Sequence, residues 1–110
     1  KVQSFRPRKE VSLPTSSWRL TNHIEQVGTR YRNKTLAWDV VNEAIDDENY
    51  GLRDCVWNNI TATDEYTSYV DIAFTVARSV DPDAKLFYND YNVASATGWS
   101  SGKSDAMFEM

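Results

Sequence analysis

The 110-residue sequence has a single cysteine, Cys55, a single histidine, His23, and no apolar run of membrane-spanning length. A lone cysteine excludes an internal disulfide framework and any multi-cysteine zinc site. Cys55 reads as a small buried apolar residue or as a half-cystine whose partner lies outside the chain. With one His and one Cys, and nothing linking them, there is no material for a Cys-His nucleophile pair; His23, beside Ile24, belongs to the core or surface of a helix. A membrane helix needs about 18 consecutive apolar residues, so nothing here spans a bilayer. Net positive charge is missing as well: twelve Lys plus Arg against sixteen Asp plus Glu leave −4, which gives no electrostatic basis for binding nucleic acid or an anionic membrane. Lys1, Arg6, Arg8 and Lys9 lead into mixed sequence and not into the apolar stretch of a signal peptide.

What is present is an ordinary globular composition, 41% apolar and 25% charged, over a length that allows one domain or a piece of one. Aromatic residues make up 13%, including four Trp and six Tyr, and flat rings with polar edges suit sugar faces as well as cores. Two sequons, at Asn33 and Asn59, are compatible with a secretory route.

The chain divides into an irregular basic arm over 1–14, a patterned region over 15–93 and a loop-rich tail over 94–110 with at most a helical start near its end. Leu20, Ile24, Val27 and Tyr31 fall on one helical face, capped by Ser16 or Ser17. Leu36 to Val41 is a short apolar, β-branched run of the kind found in buried parallel strands. A polar loop follows, then a helical turn around Val56, Trp57 and Ile60. Tyr66 to Val80 keeps helical spacing, with Thr63 as cap and Asp64 and Glu65 in the first turn. Asp81-Pro82 stops it, and Leu86 to Tyr88 starts a second strand. Trp57 and the tyrosines of the longer helix are assigned to core packing.

Helix, strand, helix, strand implies an α/β unit with parallel strands and helical crossovers. Parallel order puts Asn42-Glu43 and Asn89-Asp90-Tyr91 at the same end of the sheet, the carboxyl rim where α/β folds bind ligands. Glu43 is the strongest candidate for chemistry, since a carboxyl after an apolar strand is half desolvated, which favours its neutral, proton-donating form. Asn42 offers an amide for a substrate hydroxyl. Asp90 shares the rim as a supporting hydrogen-bonded group. Asp39 lies about 13 Å down the strand from Glu43, too far to be its partner, and is assigned to orienting a neighbour. Asp46, Asp47 and Glu48 lack the ligand spacing and glycine of an EF-hand and read as a solvated acidic loop, so no metal is expected.

Asn22-His23-Ile24, Arg30-Tyr31, Ala37-Trp38-Asp39-Val40-Val41-Asn42-Glu43-Ala44, Leu52-Arg53, Val80-Asp81-Pro82-Asp83-Ala84-Lys85-Leu86 and Asn89-Asp90-Tyr91-Asn92, in this order and spacing, resemble the middle of a glycoside hydrolase family 10 endo-xylanase. The resemblance covers about residues 17–93. It implies a fragment of a (β/α)8 barrel, about strands 4 and 5 with their helices, from a secreted enzyme that cleaves internal β-1,4 bonds of xylan with retention. By motif position Glu43 would be the general acid/base, Asn42 would bond a sugar hydroxyl, Tyr91 would border the cleft, and Asn89 and Asp90 would support the acid. A retaining glycosidase also needs a nucleophilic carboxylate about 5–5.5 Å from the acid/base. The family takes it from a glutamate on the seventh strand, and no Thr-Glu-Leu-Asp-like motif occurs here; a whole barrel needs about 250 residues. No cofactor is implied, because carboxylate chemistry on a glycosidic bond requires none. The alternative from a different class is a non-catalytic carbohydrate-binding or relic product of a truncated gene, with Tyr91 and Trp99 as sugar platforms.

Overall fold

A computed structural model of the chain describes residues 17–61, 68–94, 97–98 and 101–110. The arm, the cap at Ser16, Thr63 to Tyr66 and Trp99 lie outside the described residues. The elements are α1 (Ser17–Tyr31), β1 (Ala37–Asn42), α2 (Val56–Thr61), α3 (Tyr69–Val80), β2 (Lys85–Asn89) and α4 (Ser101–Glu109). β1 and β2 are hydrogen-bonded neighbours in a parallel pair, as the alternation of elements predicts.

The helices cover one face of this pair. Leu20 of α1, Val41 and Ala44 at the end of β1, and Tyr69, Val70 and Ala73 of α3 form the buried core, with Ile24, Val40, Trp57 and Tyr88 packed at its edge. α1 and α3 approach closely at Gly28, where a Cβ would come within 2.8 Å of Val80 Cγ1. The indole of Trp38 donates to Asp81 Oδ2 at 3.1 Å, fastening β1 to the end of α3.

Three expectations are corrected. The first strand is not buried: only Val41 of its six residues is enclosed, and Leu36, placed in it by sequence, precedes it and is 91% exposed. Among the described residues each strand has one neighbour and one helix-covered face, so alternate residues stay in solvent. For the same reason the apolar stripe of α1 runs past its cover, leaving Val27 and Tyr31 36% and 44% exposed. Second, α3 begins at Tyr69, where Ser68 and Asp71 form a reciprocal capping box, so Asp64 and Glu65 precede its first turn. Third, the helical start expected near the end of the tail is a full helix, α4, nine residues long.

Candidate active site

A bulge in β1 sets the rim. Trp38 pairs with Leu86 and Asp39 with Phe87, but the next pairs are Val41 with Tyr88 and Asn42 with Asn89, so Val40 is an extra residue. Val40 and Val41 therefore both contribute to the core side, and the parity of the strand reverses. Asn42 is thereby turned onto the face of Phe87 and Asn89, away from the helices. There Asn89 Nδ2 donates to Asn42 Oδ1 at 2.6 Å.

Glu43 follows directly, with its backbone N–H donating to Asn89 O at 2.8 Å and a φ of 52°. This left-handed conformation costs a non-glycine residue about 1–3 kcal/mol and is retained only where neighbours enforce it. The next residue supplies the enforcement: Ala44 N–H donates to the Tyr88 hydroxyl at 3.0 Å, and Ala44 O accepts from Arg53 N–H at 2.7 Å. The expected half-desolvation of Glu43 is not found, because its side chain is exposed. It opens onto a cleft shared with Asn42, His23, Arg53, Trp57 and Tyr69.

The acidic loop is also corrected. Ile45 and Leu52 form an antiparallel bridge that closes it. Asp46 caps the turn, accepting from the N–H groups of Glu48 and Asn49 at 2.9 and 3.1 Å, and these bonds hold its carboxyl below the usual range. Asp47 is not merely solvated. Its Oδ1 accepts from Lys103 at 2.8 Å, its Oδ2 accepts from Arg53 at 3.3 Å and from the Tyr91 hydroxyl, and the Lys103 and Tyr91 bonds lower its pKa. Lys103 reaches in from α4, only 2% exposed, and also meets Asp90 Oδ1 at 2.8 Å while lying 3.6 Å above the Tyr91 ring.

Asp90 is buried. Burial opposes its ionisation, but Lys103, the Tyr88 hydroxyl and its own contact with Tyr91 N–H outweigh that and keep its pKa low. Burial, reinforced by Asp90, pushes the Tyr88 hydroxyl up, so it stays protonated and donates. Burial works against the charge of Lys103, yet the two carboxylates raise its pKa well above the ordinary value. Two acids, Asp47 and Asp90, thus face two cations, Arg53 and Lys103, across the ring of Tyr91.

The sequence candidates Asn42, Glu43, Asn89, Asp90 and Tyr91 all fall at this one end of the sheet. Asp39 is exposed at the wall of a separate cavity and takes no part in the rim. His23 is exposed on α1. Cys55 is free and half-buried against the core, with its Sγ accepting from Asn58 N–H at 3.5 Å; burial, then this thiol, raises the Tyr69 hydroxyl to about 12. Sequence reasoning missed Asp47, Arg53, Tyr88 and Lys103 as parts of the rim. For Lys103 the usable signal was the helix-forming run of Ala106, Met107 and Glu109 in the tail. Among the described residues no cluster of His, Cys, Asp and Glu could hold a metal, and no helix is long and apolar enough to cross a membrane.

The family model described as glycosyl hydrolase family 10 matches residues 3–110, nearly the whole chain. The chain belongs to that family. This family 10 chain is similar to endo-1,4-beta-xylanase A of Thermotoga maritima, 49% identical over 67% of the chain and 7% of that protein. It is likewise similar to endo-1,4-beta-xylanase A of Caldicellulosiruptor sp., 49% identical over 84% of the chain and 12% of that protein. A solved endoxylanase of the family, from a sugarcane soil metagenome, superposes with a TM-score of 0.72 at 37% identity, over 86% of this chain and 24% of that one. Xylanase 10B of Thermotoga petrophila, solved in complex with xylobiose, gives 0.67 at 32% identity, over 82% and 25%. The chain therefore spans a small share of these relatives, and its two-stranded α/β unit corresponds to a segment of the family's barrel.

Proposed function

We propose that this chain carries the acid/base side of the active site of a retaining endo-1,4-β-xylanase, with Glu43 as the general acid/base. β1 and β2 would be the fourth and fifth strands of a (β/α)8 barrel, and the nucleophile would come from a carboxylate outside these residues. The observation that carries this reading is the placement of Glu43: exposed at the carboxyl end of β1, held in a left-handed conformation and lining an open cleft, in a chain of this family.

The chemistry follows from that placement. In the first step Glu43 donates a proton to the glycosidic oxygen as the carbon–oxygen bond breaks; in the second it takes a proton from the water that attacks the glycosyl-enzyme. An exposed carboxyl can meet that water. Asn89 occupies the amide oxygen of Asn42, which leaves the Asn42 N–H groups to donate to a sugar hydroxyl. Tyr91, its hydroxyl tied to Asp47, would border the substrate cleft of the whole barrel, with Asn89 and Asp90 supporting the rim. Xylan or xylo-oligosaccharide is the partner this reading names. Secretion belongs to the same reading, because the polymer is extracellular.

The test is to sequence the full-length transcript around Trp38 to Asn92 and to assay the encoded enzyme with and without Glu43→Gln. A downstream strand with a second glutamate, and loss of xylan hydrolysis in the variant with activated aryl glycosides still partly cleaved, are expected. Xylan turnover unchanged by Glu43→Gln would remove Glu43 from the acid/base role. A stop directly after Met110, with xylo-oligosaccharide bound but not cleaved, would give the chain to the non-catalytic reading.

A further inference from the structure

Glu43 projects from a backbone that would relax if its surroundings allowed it, and besides the backbone contacts of Asn89 and Arg53 a side chain prevents this. Tyr88 faces the core side of β2, opposite Val41, and its hydroxyl reaches beyond the end of β1. It accepts the N–H of Ala44 at 3.0 Å and donates to Asp90 Oδ2. Asp90 is held in turn by Lys103 at 2.8 Å. We propose that Tyr88, backed by Asp90 and Lys103, is a positioning residue for the acid/base: its hydroxyl holds the peptide that follows Glu43 and so fixes the direction of the Glu43 carboxyl. The inference rests on the acid/base reading of Glu43.

The peptide before Glu43 is already tied to β2 through Asn89 O, so the rotation left is that about the Glu43 N–Cα bond, which sets φ and carries the side chain and the Glu43–Ala44 peptide together. A left-handed residue returns to a favoured region most directly by that rotation. Ala44 is 2% exposed, so its N–H has no water to turn to. Without the Tyr88 hydroxyl the N–H is left unpaired, and the peptide is driven to turn in search of an acceptor, taking the carboxyl of Glu43 with it. The buried Asp90 carboxylate makes the hydroxyl's direction single-valued: its proton goes to Asp90, so its lone pairs face Ala44.

The test compares Tyr88→Phe with Glu43→Gln in the intact enzyme, on xylan and on a dinitrophenyl xylobioside whose leaving group needs no proton. For Tyr88→Phe, kcat on xylan is expected to fall about 10- to 100-fold, part of the contribution of a positioned acid. KM should stay within about twofold, and the first-step rate on the activated glycoside within about threefold. The Asn89–Asn42 side-chain bond and the sheet register are untouched by this change, so a merely structural role would lower both substrates together. Parallel loss on both substrates, or no loss on xylan, overturns the positioning role while Glu43→Gln still shows the split. If Glu43→Gln itself leaves xylan turnover intact, it is the acid/base reading that fails. Should Tyr88→Phe not give soluble enzyme, Asp90→Asn removes the carboxylate that orients the hydroxyl while Lys103 keeps Asp47, and the same substrate split, smaller, is expected; equal loss on both substrates overturns the proposal.

Discussion

Lys103 and Asp90 meet 2.8 Å apart with both side chains sealed from solvent, 2% and 0% exposed. Taking two charges out of water is costly, and such a pair holds only where further partners complete it. Here Asp47 is a second carboxylate at 2.8 Å and the Tyr91 ring lies beneath the ammonium. Among the described residues α4 packs on no other helix or strand. Its attachments run to the rim loops, through Lys103 and through Gly102, where a Cβ would run into the ring of Tyr50.

Lys103→Met should therefore release α4. The variant leaves Asp90 buried without its cation, a change that typically costs about 3–5 kcal/mol at buried pairs. Hydrogen exchange in 101–109 should accelerate by at least about tenfold while α3 keeps its protection. Unchanged protection across α4 would show that the helix is held by something other than its lysine.

The same cluster sets a pH window. The pKa values of Asp47 and Asp90 are depressed from 3.8, so their stabilisation is present above that value and is lost as pH falls through the folded values. The pKa of Lys103 is raised from 10.5, so its stabilisation is complete below that value and is lost as pH rises through the folded one. Docking of α4 should be constant from about pH 4 to about pH 10.5 and weaken on both sides. Exchange rates of 101–109 measured against pH, corrected for intrinsic chemistry, check this. A step near pH 6 to 7 would point to a different titrating group.

At the α1–α3 contact and the α3 cap, two substitutions test packing. Gly28→Ala puts a methyl against Val80 Cγ1 and should cost about 1–3 kcal/mol, because the neighbour is a branched side chain on a packed helix. Ser68→Ala removes the oxygen that accepts from Asp71 N–H at 3.2 Å and should cost about 1 kcal/mol. Both are read from urea midpoints. A Gly28→Ala protein as stable as its parent would mean that α1 and α3 slide apart at little cost.

The rim was legible in the sequence because its signals are local. The apolar run ending in Asn42-Glu43 and the run ending in Asn89-Asp90-Tyr91 define two strands, and alternation with helices makes them parallel, which alone puts the five named residues at one end. The bulge at Val40 left no mark, since β-branched neighbours read the same in either register, yet it is what turns Asn42 toward Asn89. Lys103 was marked only by the helix-forming residues that follow it. Its helix has no apolar stripe to announce it, and its partners Asp47 and Asp90 lie 56 and 13 residues away. Tyr88 read only as a residue of the second strand, and its ring packs against the core. Only the structure shows that its hydroxyl reaches Ala44.

The left-handed backbone of Glu43 carries the last prediction, which separates stability from activity. Glycine adopts a φ of 52° without a Cβ penalty, at the cost of a freer unfolded chain, so Glu43→Gly should stabilise the enzyme by up to about 1 kcal/mol. Glu43→Ala removes the same carboxyl but keeps the strain and should gain less, so the difference between the two variants isolates the backbone term. Both should lose hydrolysis of xylan, since neither can give up a proton. On the acid/base reading of Glu43, strain there is worth keeping only if the conformation aims the carboxyl, and a more stable, inactive Glu43→Gly enzyme is the signature of that trade. If the glycine variant is no more stable than the alanine variant, the rim imposes no strain at Glu43, and the direction of its carboxyl must be set by the side chain's own contacts with substrate.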